Sequence, residues 1–237
     1  MSLRQRQVDA RRHAILDAAA LLIRRTGTTD FSMRALAEEA GVSPATPYNL
    51  FSSKDGLLYS LLARSLDEVV FHGLSFTAAD PLDRVLEAAE RAADLFIQDP
   101  GFIRPLYQFL LGVIDPVHRP AFVARSLEYW DTALEAAAPM LPPPFDRGLI
   151  KYTLMGLFMG ELEFWIHDDV GADAFRARVT YGTALVLLPM ANDPQRARLL
   201  RRMREAQRTL APAGKTSPGL SLLKPAPNVQ RKKDSPR

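Results

Sequence analysis

Between Phe31 and Leu58 the sequence FSMRALAEEAGVSPATPYNLFSSKDGLL packs three helix starts into fewer than thirty residues, and few folds accommodate helices so short and so close together. Ser32 can cap a helix whose apolar residues Met33, Leu36, Ala37 and Ala40 recur at helical spacing. Gly41 supplies a left-handed stop. Ser43 is a second capping residue, with Pro44 at the first helical position, where a missing N–H is harmless. That helix has room only to about Phe51, because Ser52 and Asp55 have capping-box spacing and open a third helix. Two short helices joined through Gly41-Val42-Ser43 make a helix-turn-helix. Its second helix turns small and polar side chains outward (Pro44, Ala45, Thr46, Asn49), as a helix entering a major groove requires. Pro47 removes the N–H that would bond back to Ser43, so this helix begins one residue later or opens with a distorted turn.

Upstream, Ile15, Ala18, Ala19, Leu22 and Ile23 form one apolar stripe that ends near Gly27, and the arginines at 4, 6, 11 and 12 precede it as a phosphate-seeking arm or, alternatively, a solvated, frayed start. Downstream, Leu57, Leu58, Leu61, Leu62, Leu66 and Val69 predict a connecting helix of about five turns, ended by Gly73. Asp80 and Pro81 then cap and start the next helix. Helices follow over about 81–98, 101–112, 119–138, 146–168, 173–190 and 194–209, separated by Pro- or Gly-containing breaks, and no stretch alternates with a two-residue period. The expected fold is all-α. Residues 1–56 form an arm and helix-turn-helix domain, 57–210 a helical bundle, and 211–237, rich in Pro, Ser and Lys/Arg, a disordered basic tail.

The net charge of +3 conceals a segregation. Residues 1–56 carry eight Lys/Arg against six Asp/Glu, 57–200 twelve against nineteen, and 201–237 ten against two. Phosphate affinity follows local basic density, so a nucleic-acid contact belongs to the ends and not to the acidic middle. Arg231, Lys232 and Lys233 make the tail either an auxiliary DNA contact or a solubilising segment. The absence of cysteine removes disulfides and cysteine-based metal or nucleophile chemistry. With no apolar run long enough for a signal peptide or a membrane span, a soluble cytoplasmic protein is expected.

The ILDAAALLIRRTG helix followed by FSMRALAEEAGVSPATPYNLFSSKDGLL resembles the TetR family of bacterial transcriptional regulators over about residues 10 to 62, through Gly27, the AxxAGVS turn, the Tyr48–Phe51 pair and the Ser-Lys start of the fourth helix. The resemblance implies a homodimer that binds a palindromic operator, as a repressor released by a small ligand. Carried over to matching positions, it places Ser32 and Arg34 against phosphate, Thr46 and Asn49 against bases, and Tyr48 and Lys54 on the DNA backbone, with Ser43 and Ala45 on the same surface. Leu50 and Pro47 depart from the family pattern, which commonly has a polar or aromatic residue at the first position and an aliphatic one at the second.

Aromatic and long apolar side chains crowd the later helices. Most form core, yet such a bundle can enclose a ligand cavity. A hydrophobic inducer is expected among Phe102, Leu106, Tyr107, Trp130 and Phe158. Gly156 and Gly160 lie four residues apart and let another helix approach closely, which, with the resemblance, supports a dimer through the last two long helices of the bundle. An enzyme or metal protein would have to use Glu163 and His167, four residues apart on one helix face, but no nucleophile motif, phosphate loop or second ligand cluster accompanies them. No cofactor is expected. A helical adaptor without sequence-specific DNA binding is the remaining alternative, and it leaves the helix-turn-helix unexplained.

Overall fold

The Ser2 hydroxyl accepts a hydrogen bond from the Gln5 N–H and starts α1 at Leu3, so in the computed structural model the four arginines expected in an arm lie inside a helix, Leu3–Thr26. The structure describes residues 2–211, and the tail expected from 211 onward lies, beyond Ala211, outside the described residues. Gly27, at φ 68°, ends α1 with its N–H on the Ile23 carbonyl. α2 (Met33–Glu39) is capped by Ser32, and Gly41 in the left-handed region lets the Val42 N–H return to the Ala37 carbonyl. α3 covers Ala45–Phe51 and α4 Lys54–Gly73.

Six further helices follow: α5 (Pro81–Gln98), α6 (Pro100–Gly112), α7 (Arg119–Leu134), α8 (Arg147–Ile166), α9 (Ala172–Leu187) and α10 (Asp193–Leu210). Short 3₁₀ turns at Ala138–Met140 and Leu188–Met190 absorb the ends of the spans expected at 119–138 and 173–190. Pro139 and Pro189, which cannot continue an α-helical ladder, lie in those turns. No strand occurs among the described residues.

α5 packs against α4, α7 and α9 and forms the centre of the bundle. Asp80 accepts from the Leu82 and Asp83 N–H groups, and Pro81 follows at the first helical position. Phe96 of α5 meets Tyr107 and Phe158 with ring centroids 5.0 and 5.5 Å apart, and Trp130 lies 5.8 Å from Phe158. Each such pair adds about 0.5–1.5 kcal/mol beyond the area it buries. The buried apolar residues of α1–α4 and of the bundle form one continuous cluster. Ion pairs on the bundle surface then fix α10, through Arg198 to Asp80 and Asp83 and Arg202 to Glu90.

The α4–α5 connection is ordered by one carboxylate. Burial opposes ionisation of Glu87, but the Thr77 hydroxyl and N–H, the Ala78 N–H and the Arg91 guanidinium all donate to it and hold its pKa down to about 2. Gly73, at the end of α4, leaves the space in which the Tyr129 hydroxyl crosses to donate to the Ala88 carbonyl at 2.7 Å; a Cβ there would stand 2.6 Å from the Tyr129 oxygen.

Candidate nucleic-acid interface

The second helix of the helix-turn-helix opens as Pro47 dictates. The Ser43 carbonyl, deprived of a Pro47 N–H, accepts from the Thr46 N–H at 2.9 Å in a tighter turn, and regular α3 begins at Ala45. The expectation that the Ser43 side chain caps this helix is therefore corrected: the position before Ala45 is Pro44, without a side-chain cap, and the Ser43 hydroxyl lies 2.8 Å from that of Thr46. The expected start at Ser52 is also corrected. Ser52 has φ 66° and closes α3, while the Ser53 hydroxyl accepts from the Gly56 N–H and caps α4.

Pro47 and Phe51 are buried and hold α3 from behind, and Leu50 is half-buried against the core. The outward face consists of Ser43, Pro44, Ala45, Tyr48 (54% exposed) and Asn49, whereas Thr46 is half-buried. The Ser32 hydroxyl accepts from the Ala35 N–H at 3.0 Å as the α2 cap. Arg34, 81% exposed, is paired with Glu38. Lys54 is half-buried, its ammonium 5.3 Å from the centre of the Phe31 ring. The candidate face is thus flanked by hydroxyls and two cations.

Arg12 does something sequence reasoning missed. It is half-buried, donates to the Leu50 carbonyl at 2.8 Å and the Ser60 hydroxyl at 2.9 Å, and covers the Phe51 ring at 4.3 Å, so it ties α1 to the end of α3 and to α4. Arg4, Arg6 and Arg11 remain exposed. On the other side of α4, buried Tyr59 stacks on His118 at 5.4 Å and meets the edge of Phe109 at 5.7 Å. His118 is held by Asp115, which accepts from the Val117 and His118 N–H groups and lies 2.8 Å from the imidazole Nδ1. Donation from the His118 N–H, against some burial, together with the imidazole contact, holds the Asp115 carboxyl below the usual range.

His118 immediately precedes α7, and further along that helix Phe122, Ser126, Tyr129 and Trp130 line a cavity of about 30 Å³. Tyr107 and Phe158 line it too, as do Met155 and Met159 of α8. Of the five residues expected at a ligand, Leu106 is fully buried elsewhere, and Phe102 lies under the Arg24 guanidinium in a separate crevice of about 140 Å³ between α1, α4 and the α5–α6 corner. Two of the cavity's polar groups are bonded within the protein: Ser126 donates to the Phe122 carbonyl and Tyr129 to that of Ala88. Burial raises the Tyr107 hydroxyl beyond its ordinary range, against a contact from Ser65, so it stays a neutral phenol.

The model for bacterial regulatory proteins of the tetR family matches residues 15–61, which span α1 from Ile15 through α3 into α4. Over 185 residues the sequence is 36% identical to the HTH-type transcriptional repressor KstR of Rhodococcus jostii (strain RHA1), a match that covers 78% of this chain and 86% of that protein. The chain belongs to the TetR family. It is a DNA-binding transcriptional regulator, all-helical, with an N-terminal helix-turn-helix domain and a helical bundle. The regulator is also 35% identical over 107 residues to the nicotine-responsive repressor HdnoR of Paenarthrobacter nicotinovorans, covering 44% of this chain and 53% of that one. The fold matches TylP, a TetR regulator from Streptomyces fradiae, with a TM-score of 0.62 at 19% identity, covering 86% of this chain and 99% of that one.

These relatives are transcriptional regulators. The His167 Nδ1 lies 2.9 Å from the Glu163 carbonyl oxygen on its own helix. Among the described residues no group of three or more His, Cys, Asp or Glu could hold a metal ion, and no helix is long and apolar enough to cross a membrane.

Proposed function

We propose that this regulator is a cytoplasmic repressor that binds a palindromic operator as a homodimer and is released by a small apolar ligand. The observation that carries the reading is the face of α3: Ala45, Tyr48 and Asn49 have no packing role, while Pro47 and Phe51 hold the helix from behind. In this reading residues 1–56 are the DNA-binding unit and 57–210 the ligand-binding and dimerisation unit. Arg34, Tyr48 and Lys54 approach phosphates, Asn49 and Ala45 approach bases, and Ser32, Ser43 and Thr46 shape the surface between them.

Dimerisation is assigned to α8 and α9. Leu149, Tyr152 and Phe164 of α8 and Leu185 of α9 are exposed apolar residues, and Gly156 and Gly160 have open space where a side chain would stand. Such an apolar, small-residue face suits a two-fold contact with a second copy.

The ligand site is assigned to the cavity among Tyr107, Trp130 and Phe158. Its volume accommodates roughly one water molecule, so a ligand has to displace side chains to enter. Half-buried Met155 and Met159 are the flexible wall. A ligand that widens the cavity displaces α7, and α7 begins at the His118–Tyr59 stack on α4. Moving α4 changes the separation of the two reading helices, which have to meet successive major grooves about 34–36 Å apart.

Selection of bound duplexes from a random pool with purified protein tests the function. A palindrome with two equal half-sites is expected, and binding without sequence preference at moderate salt refutes it.

A further inference from the structure

The DNA-facing side of α3 offers very little hydrogen bonding. From Ala35 through Ser53 the chain has no Lys or Arg. The flanking cations stand outside this face, Arg34 beside Glu38 and Lys54 against the Phe31 ring, and the proposed reading gives them to phosphates and not to base edges. Of the hydroxyls at the start of the helix, those of Ser43 and Thr46 are bonded to each other, and Thr46 is half-buried. What projects freely is Pro44 and Ala45, which are apolar, Tyr48, and Asn49, whose amide has no partner among the described residues.

Base edges respond differently to such a surface. Guanine presents two acceptors, O6 and N7, in the major groove and is most often read by the paired donors of Arg or Lys. Set against Pro44 or Ala45, a guanine or the N4 amino group of cytosine loses water with no replacement, the costly case of an unpaired buried polar group. Thymine presents a methyl group, which an apolar side chain can cover. Adenine presents a donor at N6 beside an acceptor at N7, a pair that an Asn amide matches in both bonds at once.

We propose that the operator half-site has a core of A·T pairs opposite α3, with thymine methyl groups read by Pro44 and Ala45 and one adenine read by Asn49. This rests on α3 being the DNA-reading helix and adds what it reads. Specificity then comes from methyl packing and a single bidentate amide contact, with no contribution from guanidinium–guanine pairs.

The test takes the full chain and the half-site recovered by selection. Each thymine is replaced in turn by deoxyuridine, which removes only the 5-methyl group, and affinities are measured at fixed salt for the wild type and Asn49→Ala. Asn49 is exposed, and an unchanged melting temperature verifies that the variant is folded. Within the half-site, at least one thymine-to-uracil change is expected to weaken binding about fourfold, the worth of one buried methyl group. Asn49→Ala is expected to lose about 10- to 100-fold and to stop discriminating at one adenine. A palindrome whose α3-contacted pairs are G·C, or whose thymines tolerate uracil while Asn49→Ala keeps full discrimination, overturns the inference and leaves the function standing. Absence of any sequence preference overturns the function itself.

Discussion

Two arginines six positions apart, Arg6 and Arg12, should fail in opposite ways when neutralised. Arg12→Gln removes two charge-assisted hydrogen bonds, to the Leu50 carbonyl and the Ser60 hydroxyl, and a cation–π contact with Phe51. Charge-assisted bonds contribute about 1.5–3 kcal/mol each and an exposed cation–π contact about 0.5–1. The site is only half-buried and water can replace part of what is lost, so the expected net cost is about 2 kcal/mol. For a chain of this size that lowers the melting temperature by about 4–8 °C. The salt dependence of DNA binding should stay nearly unchanged, because the Arg12 guanidinium is held against Leu50, Ser60 and Phe51 and does not reach a phosphate. Arg6→Gln, at an exposed position, should leave the melting temperature within about 1 °C and, if Arg6 meets a phosphate, reduce the slope of log affinity against log salt by about 0.9. Scanning fluorimetry and a salt series of binding isotherms provide both readouts. An Arg12→Gln protein that melts normally but loses about one unit of salt slope would refute the structural role and return Arg12 to a DNA-contacting arm.

Three further outcomes are expected. The Glu87 carboxyl has its pKa depressed to about 2 from an ordinary 4.5, so its contribution, up to about 3 kcal/mol, is fully present above pH 4.5 and is lost as pH falls toward 2; Glu87→Gln should be destabilised at pH 7, with the gap from wild type roughly halved at pH 3, and a gap independent of pH would contradict this. Leu185→Glu, on the exposed face of α9, should shift the protein to a monomer in sedimentation and reduce operator affinity by more than tenfold, whereas a persistent dimer would remove α9 from the interface. Phe158→Ala should cost about 3–5 kcal/mol through the void it leaves and make the protein responsive to small apolar molecules; a variant whose melting temperature is not raised by saturating indole would count against the cavity as the apolar site.

Helix order was legible from the chain because its punctuation is strong: Gly27 and Gly41 adopt the left-handed backbone their positions suggest, and Asp80-Pro81 starts α5 as its chemistry requires. Errors arose where two adjacent residues offer the same chemistry. Ser52 and Ser53 are equally good caps on paper, and the choice is made by the turn that closes α3. The run of arginines before Ile15 has no apolar stripe, so nothing local reveals that Ser2 starts a helix there or that Arg12 turns inward. That role depends on the Leu50 carbonyl and Ser60, thirty-eight and forty-eight residues away. Leu106 and Tyr107 illustrate the same limit in the bundle: both are buried, and only the rotation of α6 against α5 and α7 decides that Tyr107 borders the void and Leu106 does not. The Asp115–His118–Tyr59 arrangement joins a loop, a helix start and a distant helix, and no pattern within any one of them announces it.

Gly56 sets how closely α3 and α4 are joined. A Cβ at this position would stand 2.4 Å from the Phe51 carbonyl oxygen and 3.4 Å from the His118 imidazole, so the first turn of α4 is pressed against the end of α3 with no slack. Arg12 closes the same joint from the opposite side. While these contacts hold, α3 is carried by the first turn of α4. Twenty residues give α4 a length of about 30 Å. Tilting it by about 10° at its Gly73 end carries α3 through about 5 Å, and in a symmetric pair both reading helices travel that far, a sizeable fraction of the groove spacing they have to match.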